Sequence, residues 1–451
     1  MGNSIEYYIF FGDSLTDQGE MYRRKLFGLK SMKGISGLQG KSPRGRFTNG
    51  YSWNDQFITL IYENAVIQAL KDCGKSSDDI ADDIIAGDSK ITRLLHEEFN
   101  LNNHKQVKFR KRDFVRSYNE GGVSAYDYSK RVTLNLRLFG TEKILSNLTE
   151  KRKMLLEDDE ARAVTDEHKE KTLIIEWTGI NDLITVNNNP TQNRVERAVQ
   201  ARINNVIELI HNGYCHFVLL NLPDFSNTPR YHLKSIKKQK EASQLSLYFN
   251  KILLEQVHEL CDLYPQCSID VFDTNQLFSE IYNNPNLYGF SKQKMTTPFT
   301  SSTDFILNSD GVSPAPGYMF WDDVHPTANL HALLCFQVYT NYRFKYDFSL
   351  PSDDLLSLFR ETYGQSLIND QRRFFSYSRK SKFAYKTATL KDILEHALYE
   401  KSHRTREVLI ELGWINKHGT LISDHPSLII AMANVKIDHR QKNKGHTTLP
   451  P

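Results

Sequence analysis

An α/β architecture is predicted for the first 345 residues of this 451-residue chain. Short runs of β-branched and aromatic residues alternate with stretches whose apolar residues recur at helical spacing, as in strands joined by crossover helices. Three of the short runs are almost continuously apolar, which is expected of strands buried on both faces of a parallel sheet. The sequence therefore predicts a parallel sheet flanked by helices, followed by a C-terminal extension that is mainly helical.

Five segments have the length and composition of strands in such a sheet. Each is rich in β-branched or aromatic residues, and several end at small or polar residues that suit a turn. In chain order, the predicted strands are residues 5–11, 114–118, 172–177, 216–222 and 268–272.

The clearest helix follows the third predicted strand. Its apolar residues recur at intervals of three and four and stop at Asn212 and Gly213, where glycine can adopt the left-handed conformation that ends a helix. A second helix is predicted over about residues 241–260. The stripe of the first helix consists of Val195, Val199, Ile203, Val206 and Ile210.

Three further regions depart from this alternating pattern. Residues 73–105 and 141–171 are rich in Asp, Glu and Lys, and they are interpreted as helical insertions or lids, with ordinary solvated helix faces as the alternative. The extension, residues 350–451, carries an excess of five positive charges. It is predicted to form a small helical domain, with short helices near 390–399, 405–415 and 427–435, separate from a main domain of residues 1–345.

Composition limits the kind of protein that this chain can be. Hydrophobic residues make up 39% and charged residues 25%, and mean hydropathy is −0.51, values that favour a soluble globular protein. The longest apolar runs are far shorter than the roughly 18 residues that span a bilayer, so no transmembrane helix is expected. A net charge of +3 gives no indication of a nucleic-acid partner.

The N-terminus and the cysteines bear on cellular location. Residues 1–6 lack the basic and apolar features of a Sec signal. Five scattered cysteines, an odd number, are typical of a reducing compartment, although a disulfide between Cys261 and Cys267 stays open. The expectation is a cytoplasmic protein, or one exported by a non-Sec route as bacterial effectors are.

The strongest chemical signal is Gly12-Asp13-Ser14-Leu15, directly after the first predicted strand. A serine at the carboxyl end of such a strand faces the crevice in which open α/β sheets bind ligands. The motif resembles the signature of the GDSL family of serine esterases and lipases, also called SGNH hydrolases. That resemblance implies Ser14 as the nucleophile, whereas the residues alone also allow Asp13 or Ser14 to be a helix cap.

A serine nucleophile needs a base, and the base needs an orienting partner. Asp322-Asp323-Val324-His325-Pro326 resembles the Asp-x-x-His-Pro block of the family. The resemblance implies that His325 is the base and Asp322 its partner, with Asp323 the less favoured orienting residue. A satisfied turn without a chemical role is the alternative that the residues leave open.

Acyl transfer also requires donors that stabilise the oxyanion of the transition state. Gly179-Ile180-Asn181-Asp182 follows the third predicted strand and resembles the Gly-x-Asn-Asp block of the family. The side-chain amide of Asn181 is therefore implied as one donor, alongside the N–H of Ser14. An Asx turn is the ordinary alternative.

A fourth block, residues 117–124, resembles the Asn-x-Ala-x-Gly-Gly-Ala sequence of the family. It implies a further oxyanion donor in the backbone N–H of Gly122, with Gly121 as the alternate. Ser117, Asn119 and Val123 stand where the family has Asn, Ala and Ala, which affects the bracing of the loop more than its backbone donor. A flexible glycine turn is the alternative.

The four blocks occur in the order of the family, and together with weaker resemblance elsewhere they cover most of residues 5–345. The segments 45–50, 221–224 and 271–273 resemble the lipase-like branch of the family. That resemblance implies a hydrolase of lipid esters of the lysophospholipase or phospholipase A type, with acyltransferase activity where an alcohol replaces water. A carbohydrate or short-chain acyl esterase is the enzymatic alternative. A binding protein on a hydrolase scaffold is the alternative of another class.

No cofactor or metal is expected, because the chain lacks the histidine, cysteine and glycine-rich motifs that hold them. The expected partner is a lipid or acyl-ester substrate. Basic and aromatic residues also interleave over residues 372–386, a pattern that suits peripheral contact with anionic lipids. A solvated connector is the plainer interpretation of that segment, and nucleic-acid binding is the least favoured.

Overall fold

The structure is a computed structural model of the chain. It describes residues 3–26, 30–32, 38, 45–58, 61, 106–109, 112–129, 144–186, 190–305, 315 and 317–348, and scattered positions from 394 to 436. Two segments singled out in the sequence, 73–105 and 372–386, lie outside the described residues.

A six-stranded sheet organises the described part of residues 3–348, in the spatial order β2-β3-β1-β4-β5-β6. Neighbouring strands are parallel except for β2 and β3. The five parallel strands overlap the five predicted segments, so the predicted parallel sheet is confirmed. The strands are β1 (Tyr7–Gly12), β2 (Gln106–Phe109), β3 (Arg112–Asn119), β4 (Thr172–Trp177), β5 (His216–Leu220) and β6 (Ser268–Phe272).

The antiparallel strand β2 was not predicted. It pairs with β3 at one edge of the sheet, and the register shifts between Val107 and Lys108. Because β2 is only four residues long and contains two polar side chains, its sequence has no distinct strand signal. Two pairs of two-residue strands lie outside the sheet: Asn3–Ser4 with Tyr346–Asp347, and Lys25–Leu26 with Lys30–Ser31.

The position of β1 determines where a site can form. Its neighbours are β3 on one side and β4 on the other, and Gly12 is in register with both Asn119 and Trp177. The chain therefore leaves all three strands at the same edge of the sheet. This is the edge at which open α/β sheets bind ligands, at the point where successive connections turn in opposite directions.

Helices surround this sheet, and short 3₁₀ turns lie between them. Residues 53–58 are also helical. The 3₁₀ turns are Phe225–Asn227, Pro285–Tyr288, Lys292–Lys294 and Phe299–Ser301. The labelled helices are α1 (Glu20–Arg23), α2 (Leu148–Ala161), α3 (Asp166–Glu170), α4 (Ile180–Ile184), α5 (Gln192–His211), α6 (Pro229–His232), α7 (Ile236–Leu263), α8 (Thr274–Asn283) and α9 (Ala328–Tyr342).

Each face of the sheet is covered by a separate hydrophobic cluster. Alternate residues of β1 point to opposite faces, so Phe10 packs with α9 whereas Phe11 packs with α5 and α7. This two-sided burial explains why the strands are apolar at nearly every position. It also explains the predicted helical stripe, since Val195, Val199 and Val206 are buried in the second cluster.

Helix α7 is longer at its N-terminal end than the sequence predicts, beginning at Ile236 rather than near 241. Three of its first five residues are lysines, which hide the apolar periodicity there. Cys261 and Cys267 are free thiols, so the disulfide that the sequence left open is absent from this structure. Helices α2 and α3 lie within residues 141–171, and Leu148 and Leu155 of α2 are buried against α5.

The described residues of the extension contain a hydrophobic cluster of their own. Several are helical and fall within the three short helices predicted there. Ile415 and Leu421 form an antiparallel bridge. The cluster comprises Leu394, Leu409, Trp414, Ile415, Leu428, Met432 and Val435. Throughout the described parts of the chain, no helix is both long and apolar enough to cross a bilayer.

Candidate active site

Ser14 lies in a tight turn immediately after β1. The N–H of Thr16 donates to the carbonyl of Asp13 at 3.0 Å, and the N–H of Leu15 donates to the Asp13 side chain at 3.0 Å. A Cβ atom at Gly12 would lie 2.4 Å from the Thr16 side chain, so the turn requires glycine at that position. Helix α1 begins only at Glu20, and neither Asp13 nor Ser14 caps it.

Three side chains that are distant in sequence form a continuous chain of hydrogen bonds. The Oγ of Ser14 lies 2.7 Å from the Nε2 of His325, and the Nδ1 of His325 lies 2.7 Å from the Oδ2 of Asp322. Among the predicted site residues, these are the three for which a nucleophile, base and orienting role was expected. The imidazole can accept the proton of Ser14 only when its Nδ1 carries a proton, and the contact with Asp322 favours that tautomer.

The carboxylate of Asp322 is held in a rigid arrangement. Its Oδ1 accepts hydrogen bonds from the backbone N–H groups of Val324, at 2.9 Å, and of His325, at 2.7 Å. Burial alone would raise the pKa of Asp322, but the His325 ring and these hydrogen bonds lower it below its ordinary value. Asp322 is therefore ionised at neutral pH and can stabilise a positive charge on His325.

The adjacent carboxylate, Asp323, points to a different partner. Its two oxygens accept hydrogen bonds from Arg230, at 2.7 Å from Nε and 3.1 Å from Nη2. The backbone N–H of Arg230 also donates to the Asp323 carbonyl at 2.9 Å. Asp322 and Asp323 thus contact different side chains, His325 in the first case and Arg230 in the second.

The residues predicted as oxyanion donors line the same cleft as Ser14 and His325. Asn181 donates from Nδ2 to the carbonyl of Val123 at 3.0 Å, and its Oδ1 accepts from Thr185, so its amide orientation is fixed. This leaves one N–H of the Asn181 amide for a ligand. Asn181 lies inside α4 and does not form the Asx turn that was the alternative.

The two glycines of the fourth block differ in what their N–H groups do. The N–H of Gly121 donates to Oδ2 of Asp17 at 2.7 Å, so it is already engaged. The N–H groups of Gly122 and Ser14 donate to no protein acceptor within the described part of the chain. Gly122 has a φ of 82°, and a Cβ atom there would lie 2.6 Å from Leu145. Of these two glycines, only Gly122 has an N–H without a protein acceptor among the described residues.

Two buried aspartates brace the loops that carry these groups. Besides Gly121, Asp17 accepts hydrogen bonds from three N–H groups at the start of α1, which links the Ser14 turn to the glycine loop. Asp182 accepts from the N–H groups of Ala125, at 2.7 Å, and Tyr126, at 3.0 Å. Burial raises the pKa of each carboxyl to about 6, against the effect of these hydrogen bonds.

A further support comes from residues 45–50. Thr48 donates to the carbonyl of Pro326 at 3.0 Å, and Asn49 accepts from the N–H of Ala328, at the start of α9, at 2.9 Å. The ring of Phe47 lies 4.9 Å from that of His325, centroid to centroid. These contacts position the backbone on the C-terminal side of His325 and limit rotation of its ring.

The cleft itself has a volume of about 180 Å³ and a mostly apolar lining. Apart from His325, Arg230 is the only described lining residue with a formal charge. An apolar cleft with a few fixed polar groups is typical of a site for a partly hydrophobic ligand. Its apolar lining side chains are Leu15, Met21, Phe47, Leu145, Ile180, Ile184 and Val324.

A family model described as GDSL-like Lipase/Acylhydrolase matches residues 8–335, a stretch that contains all of these groups. The chain belongs to this family. Membership makes it an enzyme of the esterase and lipase type, as the four sequence blocks predict. The matched residues end within α9, so the extension lies outside the part that the family model covers.

Three named bacterial proteins are similar to the chain at low identity. The phosphatidylcholine-sterol acyltransferase of Aeromonas hydrophila is 25% identical over 75% of this chain and 91% of its own length. The secreted effector protein SseJ of Salmonella typhimurium is 24% identical over 73% of this chain and 61% of its own length. The thermolabile hemolysin of Vibrio parahaemolyticus is 26% identical over 34% of this chain and 37% of its own length.

Sequence reasoning missed two groups of this GDSL-like site. Arg230 lies outside every recognised block, and 93 positions separate it from Asp323, so only the folded chain brings the two together. The bracing role of Asp17 was also missed, although Asp17 stands three residues after Ser14. Its position before Gly19 and α1 is the signal that could have indicated a helix-capping carboxylate.

Proposed function

We propose that this protein is a serine-dependent carboxylic ester hydrolase that acts on lipid esters, of the lysophospholipase or phospholipase A type. The observation that carries the proposal is the pair of 2.7 Å contacts from Ser14 through His325 to Asp322 inside an apolar cleft. The proposed nucleophile, base and orienting carboxylate are Ser14, His325 and Asp322, in that order.

The proposed reaction proceeds through an acyl-enzyme. His325 accepts the Ser14 proton at Nε2 as Oγ attacks the ester carbonyl carbon, and the same nitrogen then delivers that proton to the departing alcohol. Water next attacks the acyl group while His325 again acts as base, which releases the carboxylic acid and restores Ser14. Asp322 stabilises the transient imidazolium and is not itself protonated.

The oxyanion that forms in each half of the reaction is assigned to three donors. These are the backbone N–H groups of Ser14 and Gly122 and the side-chain amide of Asn181. Their fixed orientation supports the assignment, because donors that need no rearrangement stabilise developing charge most effectively. Each such donor typically lowers the barrier by about 3 kcal/mol.

A phospholipid or lysophospholipid is the proposed substrate class. The apolar lining of the cleft suits an acyl chain, and Arg230 provides one cation for a phosphate group. The Aeromonas relative is named a phosphatidylcholine-sterol acyltransferase, which favours the same class. When a lipid alcohol reaches the acyl-enzyme before water does, the same steps transfer the acyl group to that alcohol.

The extension is proposed to be a separate unit, residues 350–451, that follows the hydrolase domain of residues 1–345. Its own hydrophobic cluster supports this division. Contact of residues 372–386 with anionic lipids is a proposal based on their sequence alone. Replacing the basic residues of that segment with glutamine would test it by vesicle binding.

A panel of esters, analysed by mass spectrometry of substrates and products, tests the proposed function. We expect lysophospholipids and phospholipids to be hydrolysed by the wild type and not by Ser14→Ala. Ser301→Ala, which changes an exposed serine, is the matched control and should retain full turnover. Preference for acetylated sugars or short-chain esters would support the other esterase alternative, and absence of any turnover by the wild type would support a binding protein.

A further inference from the structure

An exposed corner of the molecule combines large apolar side chains with lysines. It comprises residues 230–240, from the middle of α6 into the first turns of α7, and is called the basic corner below. Leu233 and Ile236 project from it with 88% and 70% of their surface exposed. Leu and Ile are among the residues most often buried, so two of them exposed three positions apart suggest a surface that contacts something else.

The charge of the basic corner has one sign. Residues 230–240 include five Lys and Arg residues and no Asp or Glu. Arg230 pairs with Asp323, and Lys238 pairs with Glu241. Lys234, Lys237 and Lys240 are exposed, and none of them forms an ion pair within the described part of the chain. The corner therefore presents uncompensated positive charge around the two apolar side chains.

The basic corner is located beside the catalytic cleft. Arg230 lines the cleft with Ser14 and His325, and its backbone and side chain both donate hydrogen bonds to Asp323. Helix α7 joins the parallel strands β5 and β6, so it runs antiparallel to them, and its N-terminal end lies at the carboxyl edge of the sheet. Ser14 is at that same edge. The C-terminal end of α7 lies about 40 Å from its N-terminal end, because the helix has 28 residues that each rise 1.5 Å.

We propose that the basic corner docks on an anionic lipid bilayer, with Leu233 and Ile236 inserted at the boundary between headgroups and acyl chains. Lys234, Lys237 and Lys240 then contact lipid phosphates, and the cleft faces the bilayer from which a lipid substrate must come. The purpose of this contact rests on the proposed lipid hydrolase function, but the binding itself requires no turnover.

Charge and size favour a bilayer over a protein partner. Two apolar side chains surrounded by lysines match the arrangement of interfacial membrane anchors, in which apolar tips enter the interface and flexible lysines follow the headgroups. A stable protein interface would instead require a broad, closely packed patch of roughly 800 Å² on this partner. Because lipid phosphates attract the lysines electrostatically, docking should weaken as salt rises.

Vesicle co-sedimentation of the full chain tests this proposal. The experiment uses the Ser14→Ala protein, which is expected not to consume the lipid. Two kinds of vesicle are compared: pure phosphatidylcholine, and phosphatidylcholine with about 30% of the anionic lipid phosphatidylserine. We expect binding to the anionic vesicles only. Replacing both Leu233 and Ile236 with Asp should weaken binding at least about tenfold. Changing the three lysines to Gln should weaken it by about fivefold per residue.

The matched control lies on the same helix. Leu263, at the far end of α7, is 70% exposed, as Ile236 is. Leu263→Asp should leave vesicle binding unchanged. When Ser14 is retained, the corner variants should have the melting temperature of the wild type and its turnover of a water-soluble short-chain ester. The altered side chains are exposed and are not among the reacting groups.

Two results would overturn the proposal: failure of the Ser14→Ala protein to bind anionic vesicles, or equal binding by the corner variants and the Leu263→Asp control. The second result would leave the extension as the membrane contact. The proposed hydrolase function fails separately, on the ester panel. A protein without ester turnover whose anionic-vesicle binding still depends on Leu233 and Ile236 would retain the docking surface and lose the hydrolase.

Discussion

The hydroxyl oxygen of Ser14 lies 2.7 Å from Nε2 of His325, although 311 positions separate the two residues in the chain. The contact forms because Ser14 follows the central strand β1, while His325 stands just before α9, which packs on one face of the sheet. A hydroxyl and an imidazole at this distance can exchange a proton without rearrangement.

The neighbouring carboxylates Asp322 and Asp323 should differ sharply when each is changed to Asn. Asp322→Asn removes the charge opposite Nδ1 of His325 and can hold the ring in the wrong tautomer. We therefore expect kcat to fall about 10³-fold to 10⁴-fold. Asp323→Asn leaves that contact intact and should change kcat less than about tenfold. Steady-state kinetics on a soluble ester measures both, and equal losses would contradict the assignment.

Removal of the Asn181 amide should affect catalysis rather than substrate binding. Asn181→Ala deletes a donor that acts on charge developing in the transition state, so we expect kcat to fall about 10²-fold to 10³-fold with little change in KM. Thr185→Val, which removes only the hydroxyl that donates to Asn181 Oδ1, is the milder comparison. A rise in KM with an unchanged kcat would rule out the oxyanion role.

Arg230 is expected to recognise the phosphate of the substrate. For Arg230→Gln, kcat/KM on a lysophospholipid should fall about 10-fold to 100-fold, the usual loss for a hydrogen bond to a charged group. Hydrolysis of a monoacylglycerol with the same acyl chain should change little. Asp323→Asn retains the cation and serves as the control for the broken ion pair. An equal loss on both substrates would show that Arg230 only supports the loop.

Burial of Asp13 predicts a distinctive pH dependence of stability. Burial raises its pKa from 3.8 to about 7, so the folded state favours the protonated form. The stability associated with that raised pKa is complete below about pH 4 and is lost as pH rises through 7. Asp13→Asn retains an acceptor for the N–H of Leu15 and cannot ionise.

We therefore expect thermal melts of wild type and Asp13→Asn to agree near pH 4 and the variant to be the more stable protein at pH 8. The difference should be at most about 4 kcal/mol, from 1.36 kcal/mol per pKa unit. Asp17 and Asp182, whose pKa values are also raised, are present in both proteins, so their contributions to stability cancel in the comparison. A variant that loses stability at pH 8 would show that the ionised Asp13 is favourable.

The strands were predictable because burial on both faces of a parallel sheet leaves nearly uninterrupted apolar runs. The antiparallel strand β2 was not, since four residues at an edge carry no such pattern. The start of α7 was hidden for a physical reason: Lys237, Lys238 and Lys240 occupy the exposed first turns, where no apolar face is required.

The blocks around Ser14, Asn181 and His325 were recognisable because the role proposed for each requires a particular residue at a strand end or a turn. What the sequence could not supply was the set of supporting contacts around Ser14, His325 and Asp322. Arg230 has no local signal, and its pairing with Asp323 depends on which way those side chains point. The engagement of the Gly121 N–H by Asp17 likewise follows from loop packing.

Covalent labelling of Ser14 is the sharpest single test of the proposed mechanism. A long-chain alkyl fluorophosphonate requires an activated hydroxyl, which displaces fluoride and forms a stable adduct that peptide mass spectrometry can locate. We expect one adduct per chain, on Ser14, with loss of ester turnover in proportion to labelling and with labelling strongly slowed in His325→Ala. An adduct on another residue, or full turnover by a chain labelled at Ser14, would contradict the proposed nucleophile.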